Sequence, residues 1–257
     1  MTDSVDERAT GLRVVDPEPL GEPVHHALDE TLIERLDAGE CRPTLRVWRR
    51  TTPAVPFGRF QSFDDEIEVE YAREHGVVPV RRVTGGGSMY VAPGDVVTYS
   101  LYLPLEWVPA DVEASYADLD QPAIEALRGL GIDVRHEPLN DVEHDDGKIG
   151  GSAQLRAGDA VLHHTTMSYD LDTREMLRVL RIGEEKLSDK AVKSAEKRVA
   201  VMTDYLTESR DEVIDAIVAA YLTRFGGEEG TLTDAERERA DDLAETKFST
   251  REWNESL

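Results

Sequence analysis

Between residues 135 and 171 the chain runs "RHEPLNDVEHDDGKIGGSAQLRAGDAVLHHTTMSYDL", strand-like segments separated by only a few turn-forming residues. Connections as short as those in "HDDGK" and "RAGD" can join only antiparallel neighbours, because a parallel pair needs a crossover of a dozen or more residues. An antiparallel meander is therefore expected here, and the helices must lie elsewhere. "HHALDETLIERL" places Ala27, Leu28, Leu32, Ile33 and Leu36 at helical spacing. "DDEIEVEYAREHG", a segment from about Val112 to Leu130, and most of the chain beyond Thr173 also read as helical, including "EEKLSDKAVKSAEKR" and "RDEVIDAIVAAYLTRFG". "TLRVWRR", "AVPFGRFQ", "VVPVRRV" and "DVVTYSLYLP" read as strands, the last two as a hairpin-like pair flanking a glycine loop. The class is α+β, an antiparallel-rich mixed sheet flanked by helices. Residues 1–23, with "DPEPLGEP", are expected to form a tail or peripheral segment, and residues 24–257 one domain.

The charge excludes some partners. Fifty-three acidic residues against 29 basic ones give a net charge of −24, spread along the whole chain. A nucleic-acid backbone needs a basic face and is not expected to bind. The acidity is read as adaptation to high salt, where self-repulsion is screened within ~3 Å at 1 M. No apolar run reaches the ~20 residues of a membrane span, and "MTDSVDERAT" lacks the basic and apolar regions of a secretory signal, so a cytoplasmic location is expected. The single cysteine, Cys41, excludes an internal disulfide and is expected to be a structural residue.

Two glycine-rich stretches carry the chemistry. In "RRVTGGGSMY" three consecutive glycines follow Arg81 and Arg82. Such a run costs conformational entropy, which fits close approach of an anionic ligand to backbone N–H groups; a hairpin bulge with glycines for geometry alone is the competing reading. Neither a P-loop nor a dinucleotide fingerprint is present. In "NDVEHDDGKIGGSAQ", Lys148 is the first lysine of a chain that has six lysines and 23 arginines. A compact ammonium where arginine is otherwise preferred implies a local need for a point charge. Regular strand alternation places Lys148, Gly150 and Ser152 on one face and Ile149, Gly151 and Ala153 on the other. His163 and His164, adjacent in a strand, point to opposite faces and cannot share a metal; one buried histidine and one facing the ligand side is the preferred reading.

Taken in order, "LRVWRRTTPAVPFGRFQ", "RRVTGGGSMY", "NDVEHDDGKIGGSAQ", "VLHHTTMSYDL" and "AETKFSTREWN" resemble the lipoate–protein ligase A family of the biotin/lipoate ligase superfamily, over residues 24 to 254. The resemblance implies a class II aminoacyl-tRNA synthetase/biotin–lipoate ligase-like fold. It also implies a two-step reaction, in which ATP and lipoate or octanoate form an acyl-adenylate and the acyl group passes to a lysine of a carrier domain. The carrier would be a 2-oxoacid dehydrogenase E2 or glycine cleavage H-type protein. By the same resemblance Lys148 is the catalytic lysine. Arg81, Gly85, Gly86, Gly87 and Ser88 belong to the acyl-adenylate loop, and Asn140 and Asp141 lie near the phosphate, Asp141 also near nucleotide-bound magnesium. Trp48, Gly151, Ser152, Ala153, His163 and His164 line the site. Two departures stand out: "SMYVAPGD" lacks the His-Asp pair often found after the glycines, and the chain ends soon after "REWN". The latter implies that the small accessory domain of longer ligases is supplied by a separate protein. The alternatives are an octanoyl- or lipoyl-transferase of the same fold and a non-catalytic acyl-adenylate binding protein. Cysteine-dependent transferases carry their nucleophile just before the lysine motif, and "HEPLNDVEHDDGK" has none.

Overall fold

The computed structural model describes residues 11–181 and 199–257, so the expected helix in "EEKLSDKAVKSAEKR" lies outside the described residues. The elements in chain order are β1 (Leu12–Val15), α1 (Glu22–Asp37), β2 (Thr44–Val47), β3 (Ala54–Phe57), α2 (Phe63–Glu66), α3 (Val69–Glu74), β4 (Val78–Arg81), β5 (Val96–Pro104) and α4 (Val112–Gly129). They continue with β6 (Arg135–Glu137), β7 (Asp141–His144), β8 (Gly147–Ala157), β9 (Ala160–Ser168), α5 (Thr173–Val179), α6 (Arg210–Phe225), β10 (Gly227–Glu229), α7 (Asp234–Leu243) and α8 (Arg251–Asn254).

Eight strands form one sheet in the order β10-β1-β2-β5-β9-β8-β7-β6, with β3 and β4 in a second, two-stranded sheet. The β6 to β9 segment is the antiparallel meander expected from its turns. β5 and β9, near the centre of the large sheet, are buried on both faces, which is why "VVTYSLYL" carries large apolar or aromatic residues on both. On one face Leu119 and Ala123 of α4 and Ile214 and Ile217 of α6 pack against Val47, Tyr99 and Val161. On the other, Leu28 and Leu32 of α1 and Ala240 of α7 pack against Tyr102 and Leu162. A third apolar cluster joins the small sheet to Leu171, Val179 and Leu180.

Two expectations are corrected. Leu12–Val15, inside the segment read as a tail, is a fully buried strand paired in parallel with β10 and β2. Four residues are too short to show a period, and their partners lie far along the chain. The strand ending at Arg81 does not form a hairpin with β5; it pairs in parallel with β3, Ala54 opposite Val78 and Phe57 opposite Arg81. The intervening α2 and α3 supply the crossover that a parallel pair requires. The glycine loop is thus released from both strands and spans the gap between the two sheets.

Candidate active site

A cavity of about 260 Å³ opens between the large sheet and the β3–β4 sheet. Its floor follows one row of cross-strand neighbours. Asp141 on β7 faces Gly151 on β8, Gly151 faces Thr166 on β9, Thr166 faces Thr98 on β5, and the Trp48 N–H donates to the Thr98 carbonyl.

Lys148 reaches this floor through a break in strand alternation. Val142 pairs with Gly150 but Glu143 pairs with Lys148, which leaves Ile149 as the extra residue of a β-bulge. Ile149 turns into the α4-side core. Lys148 instead lies over Gly151, where an added Cβ would meet its Nζ at 2.9 Å and Cε at 3.1 Å. The regular alternation expected from sequence is therefore wrong by one residue: Lys148 shares a face with Gly151 and Ala153, not with Gly150 and Ser152. The ammonium donates to Asp141 Oδ1 at 2.5 Å, and the Lys148 side chain is 44% exposed.

The glycine loop forms the opposite wall. Arg82, not Arg81, faces the cavity. Its guanidinium donates to the carbonyls of Gly85 at 2.7 Å, Gly87 at 2.8 Å and Pro56 at 3.2 Å, and to the Thr84 hydroxyl at 3.1 Å. Burial pushes the Arg82 pKa down to about 10, and the Asp29 carboxylate opposes only part of that shift. Gly86 has φ +95°, and its carbonyl comes so close to Gly58 that a Cβ on Gly58 would sit 2.0 Å from it. That contact requires glycine at 58, and the positive φ favours it at 86. Arg81 is buried on the other side. It donates to the carbonyls of Arg59 at 3.0 Å, Gln61 at 2.6 Å, Trp253 at 3.1 Å and Asn254 at 2.9 Å, which locks the 58–61 turn to α8.

A buried polar network joins the two walls. Asp29 of α1 accepts from Arg46 at 2.7 Å, Ser100 at 3.0 Å and the Tyr102 hydroxyl, and is bonded to His164 Nδ1 at 2.9 Å. His164 Nε2 in turn pairs with Thr84 Oγ1, at the root of the glycine loop, at 2.9 Å. Burial alone would raise the Asp29 pKa; the His164 hydrogen bond and the Arg46 charge overcome it and hold the carboxylate ionised. Burial lowers that of His164. Trp48 donates to Ser100 at 2.8 Å and is stacked on His25, with centroids 4.6 Å apart. The His25 pKa is pushed down to about 3 by burial and by Arg46, so the ring is neutral.

Of the residues singled out in the sequence, Trp48, Gly86, Gly87, Ser88, Asn140, Lys148, Gly151, Ser152, Ala153 and His164 line the cavity. Asp141 touches it through Lys148, and Gly85 through its carbonyl on Arg82. Arg81 and His163 do not line it. His163 lies on the opposite face, fully buried, with Nε2 bonded to Asp120 at 2.9 Å. The sequence reading named Arg82 beside the glycines but gave the site to Arg81, and it missed Arg50, His26, Thr98 and Thr166. The "RR" pair was a usable signal, but which arginine turned inward depended on where β4 ends.

Residues 23–222 match the family model of the lipoyl protein ligase A/B catalytic domain. The chain is 31% identical over 243 residues to lipoate-protein ligase A subunit 1 of Thermoplasma acidophilum, covering 90% of this chain and 91% of that one. It is 29% identical over 261 residues to the octanoyltransferase LipM of Geobacillus kaustophilus, covering 89% and 92%. Among solved structures, a bipartite lipoate protein ligase from Thermoplasma acidophilum, studied with its E2 lipoyl domain, superimposes with a TM-score of 0.87 at 30% identity, over 97% of this chain and 98% of that one. A lipoate-protein ligase A bound with ATP gives 0.83 at 26%, over 96% and 99%. With its site assembled on a fold of that shape, the chain belongs to the lipoyl protein ligase A/B catalytic-domain family.

Proposed function

We propose that this protein is the catalytic subunit of a lipoate–protein ligase. A carboxylate oxygen of lipoate or octanoate attacks the α-phosphorus of ATP, and the bond to the departing pyrophosphate breaks. The ε-amine of a carrier-domain lysine then attacks the acyl carbon and AMP leaves. The observation that carries this reading is the Lys148 ammonium, lifted by the β8 bulge onto the floor of a cavity whose other wall is the Arg82-braced glycine loop. Mixed-anhydride formation brings two anionic groups together, so a preorganised point cation lowers the barrier more than it tightens ground-state binding. Asn140, whose amide donates to the Ser152 carbonyl at 2.6 Å, lines the same wall and is assigned to the phosphate. The N–H groups of Gly86, Gly87 and Ser88 are assigned to the acyl-adenylate.

Among the described residues no group of three His, Cys, Asp or Glu side chains could hold a metal ion. Magnesium is accordingly assigned to the nucleotide, with Asp141 the carboxylate that would reach it, the arrangement usual for phosphate-bound magnesium. Its chemistry there is to share the phosphate charge.

A cysteine-dependent transferase would need a thiol nucleophile at the site. Cys41 does not line the cavity; its Sγ lies 3.6 Å from the Leu32 carbonyl, and burial pushes its pKa up to about 12. The carrier is taken to be an E2 or glycine cleavage H-type lipoyl domain. A separate accessory protein is assigned by analogy with the two-part relative. The test is acid-dependent ATP–pyrophosphate exchange, with and without a candidate accessory protein. Exchange is expected with lipoate, and both Lys148→Ala and Lys148→Arg should lose roughly 10²–10³ in rate. Transfer of octanoyl from a carrier without exchange would replace the ligase by the transferase, and near-normal exchange in Lys148→Arg would refute the point-charge role.

A further inference from the structure

We infer that Arg50 builds a polar subsite at the end of the cavity distant from Lys148, which selects an acyl chain whose far end accepts hydrogen bonds. This inference rests on the proposed acyl-activating function and names the substrate it favours. Lys148 lies over Gly151 on β8, and Trp48 continues β2 at the other end of the row Gly151, Thr166, Thr98, Trp48. Three strand spacings separate those ends, ~14 Å. A medium-length acyl chain with its carboxyl at Lys148 thus extends along this floor toward Trp48.

The Trp48 end is not apolar. The Arg50 guanidinium carbon stands 4.9 Å from the Trp48 ring centroid, and the edge of His26 meets the same indole at 5.2 Å. Arg50, His26 and Thr98 all line the cavity. The Arg50 side chain is 3% exposed and is held by Glu22, which accepts from Nε at 2.8 Å and from an Nη at 3.4 Å, and by the Thr98 hydroxyl at 3.0 Å. A guanidinium has five N–H donors, so two of them have no partner among the described residues. A methyl-terminated octanoyl chain leaves those donors desolvated and unpaired. The dithiolane of lipoate presents polarisable sulfur acceptors to them. A site built to donate rejects an isostere that cannot accept.

The test compares lipoate with octanoate on the full chain. Exchange kinetics supply kcat/KM for each acid, and calorimetric titration of each acid into the protein supplies affinity without turnover. Wild type is expected to favour lipoate by about tenfold or more in both. Removing Arg50 alone strands the Glu22 carboxylate, so the paired variant E22Q/R50M is used, which removes both buried charges together. Its lipoate-to-octanoate ratio should fall toward one, with KM for ATP unchanged and a single cooperative melt. An unchanged ratio in the folded double variant, or a wild-type preference for octanoate, overturns the subsite. If wild type shows no exchange with either acid, the ligase reading fails, and the two titrations still decide whether Arg50 discriminates. Should E22Q/R50M not fold, Arg50→Lys, which keeps the charge but loses the fork, is expected to lower the ratio several-fold, and an unchanged ratio there overturns the subsite equally.

Discussion

Lys148 owes its position to what its neighbours lack. Gly151 has no side chain, so the ammonium can lie across it and reach Asp141. Beneath the same strand, on the α4 side, a second carboxylate does structural work. Asp120 accepts from the Ser152 hydroxyl at 2.6 Å and pairs with His163 at 2.9 Å. Burial alone would raise its pKa, yet the attraction of His163 and the hydrogen bonds from His163 and Ser152, with the His136 ring 3.7 Å from its other oxygen, bring it down to about 2 from 3.8. A depressed carboxylate contributes stability that is fully present above its unfolded pKa and is lost as pH falls through the folded one. Between about pH 4 and pH 2, Asp120 should therefore account for a loss of ~2 kcal/mol. Denaturant unfolding of wild type and Asp120→Asn across that range measures it: the variant should be less stable at pH 6 and show a flatter acid limb.

At the scale of elements, the β8 bulge and the Arg82 brace convert ordinary strands into a site. The bulge sends Ile149 into the core, and Lys148 takes the cavity face as a consequence. Gly151→Ala separates placement from chemistry. Its new Cβ would press on the end of the flexible Lys148 side chain rather than on backbone. The unfolding free energy should change little, within ~0.5 kcal/mol for a site with that freedom. Exchange should fall about tenfold or more, because a 1 Å misplacement of a catalytic group costs up to ~10²-fold. Equal activity in Gly151→Ala would mean that Lys148 does not work from the observed position. The loop has a comparable division of labour: Arg82 holds its carbonyls, and Arg81 fastens the 58–61 turn against Trp253 and Asn254.

For the whole molecule the dominant quantity is its charge of −24. Three buried carboxylates are paired with buried arginines, Asp29 with Arg46, Glu22 with Arg50 and Glu236 with Arg13, while Arg81 and Arg82 are buried against backbone carbonyls. The excess acid is therefore a property of the surface, and its repulsion is long-ranged and screened by salt. Raising potassium chloride from 0.1 to 1 M is expected to raise the thermal midpoint by several degrees, read by scanning calorimetry at neutral pH. A midpoint that falls with salt would indicate that surface ion pairs, not repulsion, dominate. Among the described residues no helix is long and apolar enough to cross a membrane.

The sequence by itself determined the α+β class, the meander and the two glycine stretches, because turn chemistry and side-chain period are local properties. It also marked Lys148, since the first lysine of a chain that otherwise prefers arginine is visible without coordinates. What only the tertiary structure decided were matters of parity and pairing. One extra residue in β8 reverses every face assignment before it, and the point where β4 ends chooses Arg82 over Arg81 for the cavity. The buried strand Leu12–Val15 and the parallel β3–β4 pair depend on partners distant in the chain. His163 and His164 read alike as letters. The sheet gives one to the core with Asp120 and the other to the site with Asp29, because adjacent residues of a strand must face opposite ways.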